Sequence, residues 1–259
     1  MADDDRLFEP IGPELTDEEK IARLTDGFYC YWGPPDDWPE GVDYWSPELS
    51  TEDEAIVRGC LTDPSPGVRG KAVYVLGNLG PVTWDDLTAW LLDPSEDVRM
   101  TTSSHADLSL TPVGQLCDTD RDRCAMLLAD SWIAYPEHGG ISPTLTMQGM
   151  HEDGWLEPTW RAAERLLDVG NDNITSSLRC GYFEDMVKHF GMGPDDPHIR
   201  PWIEGSDKTR KSILLAIASW LQMREDNLCA IVGALVDDAD PEIADCAREM
   251  LAWKAAQPD

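Results

Sequence analysis

The stretch Leu61-Thr-Asp-Pro-Ser-Pro-Gly-Val-Arg69 decides the fold, because it returns thirty residues later as Leu91-Leu-Asp-Pro-Ser-Glu-Asp-Val-Arg99. The Asp-Pro dipeptide and the Val-Arg pair stand at the same offsets in both copies. Self-similarity at a fixed period of this length is typical of repeat architectures. The sequence therefore predicts a repeated supersecondary unit.

Apolar residues flank each copy at helical spacing. After the first copy, Ala72, Leu76 and Leu79 continue the stripe that begins at Val68. The residue before a proline is pushed out of the α region, so the Asp-Pro dipeptide ends the first helix. The acid and the serine of the turn can cap the next helix. Each unit is thus predicted to be a helix, a tight turn and a second helix.

Three other stretches resemble the first two copies, although they have drifted. They are Ile203–Arg210 with Ser206 and Arg210 at matching offsets, Leu235–Ala244 with Asp240 in the turn, and a weaker copy at Leu166–Ile174. One helix pair cannot bury its own apolar stripe, so neighbouring pairs must stack. The predicted fold class is all-α, an α-solenoid of about five helix pairs. Residues 1–50 are predicted to form an irregular N-terminal arm, and residues 51–259 the repeat domain.

The Asp-Pro-x-x-x-Val-Arg pattern resembles the HEAT-repeat superfamily, whose second helix begins in the same way. The resemblance covers more than half of the chain, and residues 100 to 165 match poorly. It implies that the turn aspartates and the arginines that follow them form a structural ladder between repeats. The corresponding residues of this chain are Asp63, Arg69, Asp93, Arg99 and Arg210.

The N-terminal arm differs in composition from the rest of the chain. Residues 1–54 hold seventeen acids and three bases, and residues 28–45 hold seven aromatic residues and three prolines. This proline density predicts irregular structure from Phe28 onward. The arm is expected to cap the first helices or to form part of a binding surface, since aromatic residues flanked by acids suit a cationic partner. The candidate binding residues are Trp32, Asp36, Asp37, Trp38, Glu40, Tyr44, Trp45 and, in the first repeat, Tyr74.

Charge is the strongest feature of the composition, with 50 acids, 20 bases and a formal net charge of -30. Such a surface repels nucleic acid and anionic membranes, so neither is expected as a direct partner. Solubility, adaptation to high salt and a basic protein partner all remain open as explanations. No apolar run reaches the ~20 residues of a membrane span. The acidic N-terminus does not read as a signal peptide, and the seven scattered cysteines favour a reducing, cytoplasmic setting.

The sequence carries no recognisable catalytic motif, so no cofactor, metal or catalytic residue is predicted. Phosphate-binding glycine loops and zinc-protease motifs are absent. HEAT-repeat hydroxylases bind iron through several His-Glu pairs, whereas this chain has the single pair His151-Glu152. His105 is expected to be a partly buried, hydrogen-bonded histidine. Five tryptophans that fall in or beside helical stripes are expected in the core: Trp84, Trp90, Trp132, Trp220 and Trp253.

These features together predict a non-enzymatic, acidic protein-binding module. An inhibitor or immunity-type protein that engages a basic protein fits them best, and a variant of this hypothesis is a mimic of nucleic acid. Two alternatives remain open. One is a general assembly scaffold, and the other is an enzyme with an unrecognised site in residues 130–165.

Overall fold

The computed structural model describes residues 8–32, 49–106, 111–136 and 155–257, and all regular structure in these ranges is helical. Short 3₁₀ and π segments lie at Cys60–Thr62 and Arg179–Phe183. The α-helices in chain order are α1 Asp17–Trp32, α2 Thr51–Gly59, α3 Pro66–Leu79, α4 Trp84–Leu91, α5 Glu96–Ala106, α6 Pro112–Thr119, α7 Arg121–Ala134, α8 Leu156–Asp168, α9 Asp172–Leu178, α10 Glu184–His189, α11 Arg200–Glu204, α12 Lys208–Trp220, α13 Asp226–Ala234 and α14 Pro241–Ala255.

The chain divides into two compact units, Met1–Asn171 and Asp172–Asp259. Helices α1 to α8 belong to the first unit and α9 to α14 to the second. Within the first unit, α1 packs on α3, and α3 packs on α5. Helix α1 buries Leu24 in the same core as the helices of the first repeats. The boundary between arm and repeat domain at residue 50 stays a prediction.

The predicted helix–turn–helix units are confirmed at both well-matched copies. In each turn the aspartate carboxylate accepts a backbone N–H two residues later, from Ser65 to Asp63 at 2.9 Å and from Ser95 to Asp93 at 2.7 Å. Helix α3 then begins with proline, which the first turn of a helix tolerates. The stripe of α3 is buried.

Helix α1 begins at a capping box formed by Thr16 and Glu19. The Thr16 N–H donates to Glu19 Oε2 at 2.8 Å, and the Glu19 N–H donates to Thr16 Oγ1 at 3.3 Å. The helix continues to Trp32, so the prediction of irregular structure from Phe28 was wrong for residues 28–32. The first proline of the aromatic stretch is Pro34, and a helix can run up to the residues before a proline.

The segment before α1 is held by a buried carboxylate. Phe8 is 1% exposed, and its N–H donates to Oδ1 of the fully buried Asp53 at 3.0 Å. The other oxygen, Asp53 Oδ2, accepts the Ser50 hydroxyl at 2.9 Å. The Phe8 ring lies directly against Gly27 of α1, where a Cβ would stand 2.4 Å from the ring. This contact explains why α1 has no side chain at position 27.

In the second unit, aspartates cap both helices that follow the drifted copies. Asp207 caps α12 through the N–H groups of Thr209 and Arg210, and Asp240 caps α14 through those of Glu242 and Ile243. The tight turns predicted at these copies are therefore confirmed, with Asp207 rather than Ser206 as the cap of α12.

Two of the five tryptophans expected in the core are exposed. Trp90 and Trp132 are buried and Trp84 is partly buried, whereas Trp220 is 76% and Trp253 is 48% exposed. Both exposed residues lie at or near the C-terminal end of their helices. The apolar stripe of a helix can thus extend beyond the helices that pack on it. Periodicity alone does not show how far those neighbouring helices reach. None of the helices in the described ranges has the length and apolar character of a bilayer-spanning segment.

Candidate functional site

The predicted binding residues fall mostly outside the part of the chain that the structure describes. Trp32 is the last residue of α1. Tyr74 lies on α3 and is 37% exposed. The other candidates lie outside the described residues: Asp36, Asp37, Trp38, Glu40, Tyr44 and Trp45.

The predicted ladder residues of the first unit lie together. Arg69 donates to both carboxylate oxygens of Asp93, from Nε at 3.0 Å and from Nη2 at 2.9 Å. Its Nη1 also donates to the Asp63 carbonyl oxygen at 2.9 Å. Burial acts to raise the pKa of Asp93, but hydrogen bonds from Arg69 and the Ser95 amide outweigh it and lower that pKa. A bidentate pair thus joins the two neighbouring turns.

Two further ion pairs repeat this geometry, and the sequence reasoning missed both. Arg69 is the fourth residue after the N-cap of α3, and Lys20 and Lys211 hold the same position in α1 and α12. The Lys20 ammonium donates to Asp63 at 2.7 Å, and that of Lys211 pairs with Asp238. Together the pairs Lys20–Asp63, Arg69–Asp93 and Lys211–Asp238 form what we call the turn ladder. Counting from the helix cap would have found the two lysines.

Arg210 stands one residue before the ladder position and does not join the turn ladder. Its guanidinium pairs with Asp207, the cap of its own helix. The alignment that placed Arg210 in the ladder counted from Ser206, but α12 is capped by Asp207. The fourth residue after the true cap is Lys211, which faces the next turn.

Arg99 occupies the ladder position of α5 but forms no ion pair with a carboxylate among the described residues. It is 5% exposed, its Nη1 donates to the Asp93 carbonyl oxygen at 2.6 Å, and its guanidinium lies 4.0 Å from the centre of the Tyr135 ring. Its Nη2 has no hydrogen-bond partner within the part of the chain that the structure describes. The next turn is the single residue Asp120, which caps α7 through the Arg123 N–H. The turn ladder of the first unit therefore ends at Asp93.

A row of aromatic rings crosses α1, α3 and α5 on the first unit. The Phe28 ring lies 5.8 Å from Tyr29 and 5.0 Å from Tyr74, and Tyr74 lies 5.5 Å from His105. We call these four residues the aromatic row. Tyr29 is 62% exposed, so the row has a solvent-facing edge. Only Tyr74 was among the predicted binding residues.

Lys71 lies over the aromatic row. Its ammonium is 4.6 Å from the centre of the Tyr74 ring and 5.6 Å from that of Phe28. Burial lowers the pKa of Lys71. The quadrupole of the rings favours a cation at this place, which offsets part of the cost of desolvating it. The row can therefore hold a cationic group against its rings, and one is already supplied by the protein.

His105 closes the aromatic row as a neutral imidazole. Its Nδ1 lies 2.6 Å from the Thr101 carbonyl oxygen, which can only accept, so Nδ1 carries the proton. Its Nε2 then accepts from the Asn78 side-chain amide at 2.7 Å. Burial lowers the pKa of His105, although the hydrogen bond with Thr101 acts to raise it. With both nitrogens engaged, His105 is a packing residue, as the sequence predicted.

Most basic side chains of the described residues are paired with carboxylates. Arg58 exemplifies the pattern, since it contacts Glu54 on its own helix and both oxygens of Asp86 on α4. The basic residues in ion pairs are Lys20, Arg23, Arg58, Arg69, Arg121, Arg161, Arg165, Arg200, Lys208, Arg210, Lys211 and Arg248. The negative charge that remains is carried by carboxylates without such partners.

Part of the acidity stabilises the helices themselves. Acids occupy the first turn of α1, α2, α4 and α5, where the positive end of the helix dipole favours them. In the described ranges, no group of three or more histidine, cysteine or acidic side chains is arranged to hold a metal ion. The His151-Glu152 pair and half of the 130–165 region, residues 137–154, lie outside the described residues.

Comparison with protein-family models, with curated proteins and with solved structures finds no match to this chain.

Proposed function

We propose that this chain is a non-enzymatic protein-binding module of stacked, HEAT-like helix pairs that engages a basic protein. The observation that carries the proposal is the pairing of the basic side chains. Twenty bases stand against 50 acids, and in the described residues most of those bases are already neutralised by a neighbouring carboxylate. The electrostatic field around the molecule is therefore set by the excess carboxylates, and this negative field steers cationic partners towards the molecule.

The stacking of helix pairs is supported by contacts within the first unit. Helices α1, α3 and α5 pack in sequence, and the turn ladder ties the N-terminal ends of α1 and α3 to the turns that precede α3 and α5. A solenoid built in this way offers a surface formed by successive second helices. The aromatic row crosses these helices, and Asp26 stands one turn before Tyr29 on α1. Lys71 covers Tyr74 and Phe28, but the exposed Tyr29 beside an acid suits a desolvated contact with a partner's cationic side chain.

The role that fits this chemistry is inhibition of a protein whose basic surface binds nucleic acid. Carboxylates of the module would occupy that surface in place of phosphates. Because charge complementarity acts mainly on association, the interaction is expected to weaken as salt rises from about 50 to 500 mM.

The proposal is tested with a panel of basic nucleic-acid-binding proteins and an acidic protein of similar size as control. Binding is measured by calorimetry at several salt concentrations, with polyglutamate of matched charge as a competitor. We expect at least one basic protein to bind the module more tightly than it binds polyglutamate, with loss of its nucleic-acid binding. If every basic protein binds polyglutamate equally well, the module is only a polyanion and the proposal is wrong.

Charge-matched variants then locate the contact surface. Reversal of Asp36, Asp37 and Glu40 to lysine adds the same positive charge as reversal of Asp226, Asp237 and Glu249 in the second unit. We expect the first triple variant to weaken binding by at least about tenfold more than the second, with unchanged helical content. Equal losses would mean that net charge alone drives binding and that the arm is only a cap.

A further inference from the structure

The second unit contains an open cavity of about 670 Å³ between the π segment and the C-terminal end of α12. Its volume lies within the range of about 300–1,000 Å³ that small-molecule sites occupy. Its lining residues are Arg179, Cys180, Glu184, Ile217, Trp220 and Gln222, with Ala216 and Ser219 between them. The cavity is independent of the turn ladder and of the aromatic row.

The π segment brings two opposite charges to the wall of this cavity. Hydrogen bonds of a π-helix span five residues, so residues five apart lie above one another. Arg179 and Glu184 have this spacing and both line the cavity, whereas in an α-helix the same spacing would turn them apart. Tyr182 and Phe183 are buried on the other side, where Phe183 packs edge-on against Trp202 at 4.8 Å. The wall is thus anchored in the core.

Neither charge is paired with an opposite charge in the described structure. Arg179 has one polar contact, a weak one from Nη2 to the Cys180 sulfur at 3.9 Å, although most other arginines of this acidic chain lie against a carboxylate. Glu184 contacts no basic side chain among the described residues. π turns inside helices occur frequently at functional sites. A guanidinium and a carboxylate on one wall can bind a ligand that carries both charges.

The facing wall supplies an apolar surface. Trp220 is 76% exposed, the largest exposed fraction among the large apolar side chains described. It continues the apolar stripe of Ile213 and Ile217, which are buried, to the exposed end of α12. The chain then reverses in a Schellman turn, in which the Met223 N–H donates to the Ala218 carbonyl at 2.9 Å. Gln222 adopts φ 55° in this turn, a conformation that favours glycine. The turn fixes the end of α12 at the rim of the cavity.

We propose that this cavity binds a zwitterionic amino acid with a large apolar side chain. Arg179 donates to the ligand carboxylate, Glu184 accepts from its ammonium group, and Trp220 packs against its side chain together with Ile217. A dianion is disfavoured by Glu184 and a simple cation by Arg179. The two charges and the indole therefore select for a ligand that carries both charges and an apolar body.

The first experiment uses three probes on the full chain. L-phenylalanine carries both charges, N-acetyl-L-phenylalanine lacks the ammonium charge, and L-phenylalanine amide lacks the carboxylate. Calorimetry is expected to detect phenylalanine binding at millimolar or lower concentration, with each blocked probe weaker by about tenfold or more, since a hydrogen bond to a charged group contributes about 1.5–3 kcal/mol. Equal affinity for the three probes, or no saturation below about 10 mM phenylalanine, overturns the proposal.

Matched variants separate the site from its surroundings. Arg179→Gln, Glu184→Gln and Trp220→Leu are each expected to weaken phenylalanine binding by about tenfold. The controls are Arg248→Gln and Trp253→Leu, an exposed arginine and an exposed tryptophan of the same unit outside the cavity, which should stay within about twofold. Losses of equal size in variants and controls contradict the proposal.

A second readout needs no variant. Cys180 lines the cavity and Cys246 lies on α14, and both thiols are exposed. Bound phenylalanine is expected to slow alkylation of Cys180 by iodoacetamide and to leave the rate at Cys246 unchanged. If both rates respond equally to phenylalanine, the ligand does not occupy the cavity and the assignment is wrong.

Discussion

The two units use the same helix position to join neighbouring turns, but the Arg69–Asp93 pair of the first unit and the Lys211–Asp238 pair of the second differ in residue type and burial. In the first unit Arg69 reaches Asp93 with a bidentate guanidinium, and both side chains keep about a seventh of their surface exposed, 14% and 15%. In the second unit Lys211 reaches Asp238, and each side chain is 6% exposed. An ammonium ion is a compact point charge, whereas a guanidinium is a planar fork that needs aligned oxygens.

In both units the paired cation stands four residues after the helix cap, although the sequence motif around it differs. The repeat was found through Asp-Pro and Val-Arg, yet Lys20 and Lys211 lie in segments that lack the Val-Arg pair. What the three pairs share is a cation four residues after the cap. The aspartate opposite holds the turn as well, by accepting a backbone N–H at Ser65, Ser95 or Asp240.

The largest effect is expected at the more buried pair. Asp238→Asn keeps the oxygen that accepts the Asp240 N–H but removes the charge opposite Lys211, so a shielded ammonium loses its partner. We expect the free energy of unfolding to fall by about 3 kcal/mol, measured by urea denaturation. Asp245→Asn is the control, because it breaks an exposed pair with Arg248 and should change stability by less than about 0.5 kcal/mol. Similar losses in both variants would contradict a role for burial.

The matched substitution in the first unit, Asp93→Asn, is expected to lower the free energy of unfolding by less. Asp93→Asn also preserves its turn, because the amide oxygen can still accept the Ser95 N–H. Water reaches the Arg69 guanidinium to a greater extent, and Arg69 keeps the Asp63 carbonyl as an acceptor. The expected loss is about 2 kcal/mol in the same urea experiment. A loss larger than that of Asp238→Asn would reverse the order that exposure predicts.

The sequence predicted the helix pairs well because their signals are local. The Asp-Pro turns and the apolar stripe that begins at Val68 depend on neighbouring residues. The exposure of Trp220 and the π turn could not be predicted in this way. Trp220 lies on the expected face of α12, but its burial depends on which neighbours reach that far. The wall of the cavity is formed by the π segment Arg179–Phe183, whose turn holds one residue more than an α-helical turn. The spacing of apolar residues does not reveal such an insertion.

The candidate site residues also divide into those predicted by local sequence and those brought together by packing between helices. Tyr74 was predicted as a binding residue, and Lys71 lies three residues before it on the same helix. Tyr29 joins them only through Phe28 and the packing of α1 on α3. The neutral state of His105 could be expected from its place in the stripe of α5. Its contact with Thr101, four residues earlier on the same helix, is also local, but its contact with Asn78 could not be expected, since Asn78 lies on the neighbouring helix.

His105 is expected to make the stability of the first unit depend on pH. Because the pKa of His105 is lowered in the folded state, the unfolded chain binds more protons as pH falls below about 6.5. Stability is therefore lost on acidification from pH 7.5 to 5.5. In His105→Gln this loss should be smaller, as measured by urea denaturation at several pH values. Parallel profiles for the two proteins would mean that His105 titrates alike in both states.

The smallest effect is expected at Arg210 and tests the rule of counting from the cap. Its pair with Asp207 joins two residues of the same helix start, and Asp207 is 41% exposed. Arg210→Ala should therefore cost less than about 1 kcal/mol, whereas Arg69→Ala, which separates two turns, should cost about 2 kcal/mol. Both values come from urea denaturation. If Arg210→Ala proved as destabilising as Arg69→Ala, alignment of the Val-Arg motif, rather than distance from the cap, would identify the residues that join neighbouring turns.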